Sequence, residues 1–141
     1  MVEEERKYVD VNVFVYWLAG SGDLLLRAKR WIQRIETARR GEYYTSALTI
    51  YEVMVIIAGL TGDSLQNEEF VDKVLSAFDS LRSLTVLPLE KEIFVEALRC
   101  MYDVGLDFED CLHYVTAKRI KAGIIISNDK DFDLTDLRRL F

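Results

Sequence analysis

Cysteine and histidine are scarce in this chain: two of one and one of the other in 141 residues. The spacing of Cys100 and Cys111 fits no zinc pattern, and a single His is too few for a Cys/His site. The two cysteines read as buried thiols in a reducing compartment rather than as a disulfide. There is one proline and there are seven glycines, so few loops should be long and helices should dominate. No run of 18 uncharged apolar residues occurs, which excludes a helical membrane span of ordinary length. The opening MVEEERKY is acidic and lacks an apolar core, unlike a secretory leader. A cytoplasmic location is therefore expected.

Apolar residues make up half of the chain and charged residues 30%, a composition that supports one packed core and argues against disorder. The length suits one domain over residues 1–141. A net charge of −6 is unfavourable for a protein that handles nucleic acid. The charge is unevenly spread, however. Residues 27–40 (RAKRWIQRIETARR) hold six basic residues and one acid, which leaves −11 for the rest of the chain. Arg27, Lys29, Arg30, Arg34, Arg39 and Arg40 are either a solvated helix face or a surface for RNA or a partner. Part of the remaining acid could be neutralised by bound cations.

Strand and helix patterns alternate along the chain. A short strand is expected at 7–11 (KYVDV), ending at Asp10, followed by the apolar run VFVYWLAG. Leu24, Ala28, Trp31, Ile32 and Ile35 give helical spacing over 23–40, with Gly41 as its C-terminal glycine. A second strand fits 42–46, and a largely buried helix fits 47–60. Further helices are expected at about 65–82, 89–104 and 107–122, the last two closed by Gly105 and Gly123. Strands fit 84–87 and 124–127. The chain ends in a polar NDKDFD loop and a short helix or turn. The uniformly apolar IIIS at 124–127 suits a parallel strand covered on both faces. The expected fold is a three-layer α/β/α sandwich with a central, mainly parallel sheet and right-handed crossovers.

In such folds ligands bind beyond the carboxyl ends of the strands. Asp10 lies at the end of the first strand and Asp129 just after the fourth. Asp107 and Asp110 open the helix before that strand, on one helix face. Glu52 interrupts the apolar stretch TIYEVMVIIA. Buried and ionised without a partner, it would cost several kcal/mol, so it faces solvent or meets a cation or donor. Each acid alone has a structural account, as a cap, a turn residue or a loop acid. Together they suggest a cluster. Crowded carboxylates raise one another's pKa, and Mg²⁺ or Mn²⁺, which accept oxygen ligands, relieve the conflict. The chemistry implied is metal-assisted hydrolysis at phosphorus.

Three blocks resemble the PIN-domain family, and in detail VapC-type toxins and their archaeal relatives. YVDVNVFVY is similar to the family's opening strand, with Asp10 as its first acid and Asn12 ordering the site. YYTSALTIYEVM resembles the second block, which makes Ser46 (or Thr45) its hydroxyl residue and Glu52 its acid. GLDFEDCLHYVTAKRIKAGIIISNDKDFD resembles the acid-bearing helix, apolar strand and Thr/Ser-x-Asp-x-Asp-Phe loop. Asp110 and Asp129 then match the third and fourth acids, with Ser127, Asp131 and Phe132 in the loop motif. Asp107 is an alternative to Asp110.

The resemblance implies an endoribonuclease in which Asp10, Glu52, Asp110 and Asp129 are catalytic and hold Mg²⁺ or Mn²⁺. It would leave 5′-phosphate and 3′-hydroxyl ends. It also implies an RNA substrate, a homodimer or larger assembly, and an antitoxin that often inserts a basic residue into the acidic site. An RNA-processing nuclease and a non-cleaving RNA- or partner-binding module are the alternatives. A haloacid-dehalogenase-type phosphatase would need an Asp where Asn12 stands. His113, three residues after Asp110, reads as a satisfied structural histidine, and Trp17 and Trp31 as packing residues.

Overall fold

The computed structural model describes residues 5–141. Of the acidic run at 3–5, expected as a solvated tail, Glu3 and Glu4 lie outside the described residues. Five strands form one parallel sheet in the order β3-β2-β1-β4-β5: β1 (Lys7–Val9), β2 (Tyr43–Ser46), β3 (Thr85–Leu87), β4 (Ile124–Ile126) and β5 (Arg138–Leu140). Around it lie α1 (Val11–Ala19), α2 (Gly22–Thr37), α3 (Ala47–Thr61), α4 (Glu68–Asp79), α5 (Lys91–Val104) and α6 (Phe108–Arg119). A 3-10 helix (Lys130–Leu134) links β4 to β5.

Side chains on successive strand residues point to opposite faces, and the core divides accordingly. Val9, Ile124 and Ile126 pack with α1 to α4 through residues such as Phe14, Ile32, Val53 and Phe78. Tyr8 and Ile125 face the other way and pack with Ile93, Ala97, Leu112, Val115 and Phe132. The expected three-layer α/β/α fold is what the chain adopts. Both cysteines are buried free thiols, as expected. No helix among the described residues is long and apolar enough to cross a membrane.

Four local expectations need correction. The strand expected at 7–11 stops at Val9, and α1 begins at Val11 and takes in the run VFVYWLAG as far as Ala19; that run shows no 3.6-residue stripe because Val11, Val13, Phe14 and Val15 are all buried. The 3-10 helix is followed by β5, a strand too short and too basic (RRL) to carry a period-2 signal. Gly41 and Gly123 do not end helices: α2 stops at Thr37 and α6 at Arg119. Gly105 does close α5, in the left-handed conformation at φ 86°. Finally, α3 is not largely buried. Its inward face is Thr49, Val53, Met54 and Ile57, while Tyr51, Val55, Ile56 and Leu60 are exposed.

Parallel pairing places every strand's carboxyl end at one edge. Asp10 therefore follows β1, Ser46 ends β2, Ser127 follows β4 and Phe141 follows β5, all on that edge.

Candidate functional site

A cleft of about 330 Å³ opens at this edge. Asp10, Glu52, Glu109, Asp110 and Asp129 line it, with Asn12, Tyr16 and His113 among their neighbours and, among the described residues, no lysine or arginine. The four acids singled out by the sequence thus converge from β1, α3, α6 and the loop after β4.

Asp10 is held most firmly. It is 5% exposed, and its Oδ1 accepts the Val11 N–H at 2.8 Å, capping α1. Its Oδ2 accepts the Ser127 hydroxyl at 2.6 Å and Asn12 Nδ2 at 3.2 Å. Ser127 Oγ in turn accepts the Asp129 N–H at 3.0 Å. Asn12 Oδ1 accepts the Asn128 N–H at 3.1 Å. Asn12 and Ser127 therefore tie the end of β1 to the loop after β4.

Asp110 and Asp129 are less protected. Together with Asp131 they offer three carboxylate oxygens that all lie within 4.8 Å of one another. Burial, then the charges of Asp107, Asp129 and Asp10, pushes the Asp110 pKa from 3.8 to about 7. Oδ1 of Asp129 accepts the Asp131 N–H at 2.9 Å. Asp107 does not line the cleft. It is exposed and caps α6, accepting the Asp110 N–H at 2.8 Å.

Glu52 faces a donor rather than solvent. Its Oε1 lies 2.7 Å from His113 Nε2, and its side chain is 11% exposed. The other ring nitrogen of His113 lies 2.7 Å from the Tyr8 hydroxyl, which donates to Ser46 Oγ at 2.9 Å. Burial disfavours a charged His113, but Tyr8, the Glu52 hydrogen bond and the charge of Asp10 outweigh it and hold its pKa well above the usual value. Ser46 therefore reaches the site only through Tyr8 and His113. Thr45 bonds the Val9 carbonyl at 2.8 Å instead.

His113 is both a satisfied core histidine and a contact of the site. Glu109 and Tyr16 were missed by the sequence reading. Glu109 had a signal in its position beside Asp110 in the first turn of α6. Tyr16 had none without a helix over Val11–Ala19. The basic run divides. Arg27, Arg30 and Arg34 line a second cleft with Trp31 and Phe141. Lys29 and Arg39 are exposed elsewhere, and Arg40 donates to the Arg82 carbonyl at 3.2 Å.

Five carboxylates face one cleft whose one basic neighbour among the described residues, His113, is taken up by Glu52. Such a set fits a divalent ion, since the donors are all hard oxygens, and Asp110 shows what burial and like charge cost.

No curated protein matches this chain in sequence. Solved structures match it in fold. VapC20 of Mycobacterium tuberculosis, described as a sarcin–ricin-loop-cleaving toxin, has a TM-score of 0.72 at 13% identity, covering 94% of this chain and 98% of its own. VapBC2 of Rickettsia felis, solved with a promoter DNA fragment, gives 0.66 at 14%, with 95% and 96% covered. FitAcB of Neisseria gonorrhoeae gives 0.65 at 18%, with 96% of each covered. The family model for the PIN domain matches residues 7–137, from the first strand through the acid-bearing loop. With the acids of three separated blocks lining one cleft inside that match, the chain belongs to the PIN-domain family.

Proposed function

We propose that this protein is a Mg²⁺- or Mn²⁺-dependent endoribonuclease, the toxin of a VapBC-type pair acting in the cytoplasm. The observation that carries this is the cleft itself: five acids against the single imidazole of His113, which is already paired with Glu52, and among the described residues no lysine or arginine, with Asp110 raised to about 7. Asp10, Asp110 and Asp129 would hold the ion, while Glu52, hydrogen-bonded to His113, lines the same cleft. Asp131 is close enough to share a ligand position. Asn12 and Ser127 orient Asp10, while Asp107 only shapes the start of α6. A divalent ion, when bound here, would neutralise charge developing at the phosphate and make water a better nucleophile.

The toxin role rests on likeness to VapC20 and to VapBC2. An antitoxin partner, whose basic side chain would satisfy the same acids, follows from that role. The proposed homodimer rests on a separate feature. Phe94, Val95, Leu98, Met101 and Tyr102 form one exposed apolar stripe along α5, the kind of patch that marks an interface. Sedimentation of the wild type as a dimer and of Leu98→Glu as a monomer would support it; a monomeric wild type would remove it.

The activity test is incubation of purified protein with labelled single-stranded RNA, with Mn²⁺ or with EDTA. Cleavage with Mn²⁺, its loss in EDTA, and its loss in Asp10→Asn and Asp110→Asn are expected. Cleavage that persists in both variants would identify a contaminant and sink the reading.

A further inference from the structure

The acidic cleft is a poor place to gain affinity for a polyanion. Before a cation binds, it repels the phosphates it is proposed to cut, and the chain as a whole carries −6. Binding energy has to come from cations nearby. They are present, and a pair of aromatic rings joins them to the cleft.

Arg27, Arg30 and Arg34 are spaced three and four apart, on one face of α2. With Trp31 and Phe141 they line a cleft of about 170 Å³. The Arg34 guanidinium lies 4.5 Å from the centre of the Trp31 ring, and that of Arg27 lies 4.5 Å from the centre of the Phe141 ring. Arg27 is partly engaged: its Nη2 donates to the Phe141 oxygen at 2.6 Å, and Asp23 stands 4.0 Å away. Arg30 and Arg34 pair with no carboxylate among the described residues.

Phe141 follows β5 and so lies at the carboxyl edge of the sheet. Its ring packs against Tyr16, with centroids 5.8 Å apart. Tyr16 is a wall of the acidic cleft, and its hydroxyl accepts from Asn128 Nδ2 at 3.2 Å. The two clefts thus share one aromatic partition.

We propose that the α2–Phe141 cleft binds the sugar–phosphate backbone of single-stranded RNA as the strand leaves the acidic cleft over Tyr16 and Phe141. The choice of polymer rests on the nuclease reading above. Guanidinium groups match phosphate geometry in a fork, and their stacking on Trp31 and Phe141 holds that fork in place. An exposed base could stack on the same aromatic–arginine surface. An acidic protein segment would use the charges but would gain nothing from the partition shared with the phosphate-handling cleft.

The test is fluorescence anisotropy of labelled oligouridylate with wild-type protein in EDTA, where cleavage is not required. Arg30→Glu/Arg34→Glu is expected to weaken binding by about tenfold or more and to lower the salt slope by about 1.4, two single-strand phosphate contacts. Arg30→Lys/Arg34→Lys keeps the charge but loses the fork and the stacking, so it should bind between the wild type and the reversed pair, which would tie the loss to charge and geometry rather than to misfolding. Lys121→Glu/Arg138→Glu, exposed at the opposite edge of the sheet, makes the same charge change and should leave affinity within about twofold.

Four results would overturn the proposal. One is a reversed pair that binds within about twofold of wild type. A second is a control pair that loses as much. A third is a wild type that cleaves with Mn²⁺ yet shows no binding in EDTA. The fourth is loss of poly-glutamate binding with RNA binding unchanged, which would assign the cleft to a protein. If arginine-dependent binding holds while no cleavage is found, the nuclease reading falls and this one stands.

Discussion

The two sides of the acidic cleft solve the same electrostatic problem in opposite ways. On one side Asp10 is almost fully buried, yet both its oxygens accept hydrogen bonds, from Val11, Ser127 and Asn12. Its charge is met by protein dipoles and belongs to the fold. On the other side Asp110, Asp129 and Asp131 bring oxygens within 4.8 Å of one another. Burial and like charge raise Asp110 to about 7. One carboxylate is preorganised by its surroundings, while the other group is left under burial and like-charge repulsion. On the metal-dependent reading proposed above, the two would divide the work: a fixed ligand that sets the geometry, and an unsatisfied cluster that gives binding its driving force.

The contrast is sharpest where removing a charge acts with opposite signs on stability but with the same sign on activity. The largest expected effect is on cleavage. Asp10→Asn and Asp110→Asn should each lower it by about a hundredfold or more, because the ion's contribution is worth several kcal/mol. Single-turnover RNA cleavage measures this, and a variant retaining near-wild-type rates would remove its acid from the centre.

Stability then separates the two sides. Asp10→Ala uncaps α1 and takes away the acceptor of the Ser127 hydroxyl and one of the two acceptors of the Asn12 amide. Urea denaturation should show a loss of about 2–3 kcal/mol. Asp110→Asn should do the reverse in the metal-free protein. Asp110 has its pKa raised from 3.8 to about 7, so between those values the folded state binds more protons than the unfolded state. Stability is therefore lost as pH rises through that window. In EDTA at pH 8 the Asn variant should melt higher than wild type by about 2–4 °C. The gain should vanish toward pH 4. An Asn variant that melts lower at pH 8 would show that Asp110 is not under charge strain. In the same window Mn²⁺ affinity of the wild type should rise with pH, as Asp110 gives up its proton.

The smallest effect sharpens the comparison within the crowded side. Asp107 repels Asp110 but serves as the cap of α6. Asp107→Ala should cost about 1 kcal/mol of stability. Manganese affinity should stay within about threefold, since a lost cap and a lost neighbouring charge act in opposite directions on Asp110. A collapse of manganese binding equal to that of Asp110→Asn would make Asp107 a ligand.

Much of the site could be read from the chain, for identifiable reasons. Asp10 and Asp129 were legible because an acid one to three residues past an apolar strand falls at the carboxyl edge of a parallel sheet. Glu52 was legible because a charge amid Ile50, Tyr51, Val53 and Met54 demands a partner. The partner itself, His113, was not: it comes from α6, 61 residues away, and no local pattern links them. Tyr16 was lost with α1, whose all-round burial erased helical periodicity. The exposed apolar sides of α3 and α5 were likewise hidden, since hydrophobicity along a helix does not say which faces are covered.

By itself the sequence determined the alternation of strands and helices, the side each acid takes relative to its strand, and the concentration of positive charge on α2. These follow from local periodicity and from the two-residue repeat of a strand. Only the tertiary structure decided which acids are satisfied and which are strained. It also decided that Glu52 rests on His113, and that Tyr16 and Phe141 bring the arginines of α2 beside the acidic cleft. Such properties depend on desolvation and on distances between segments far apart in the chain, and those exist only once the sheet has assembled.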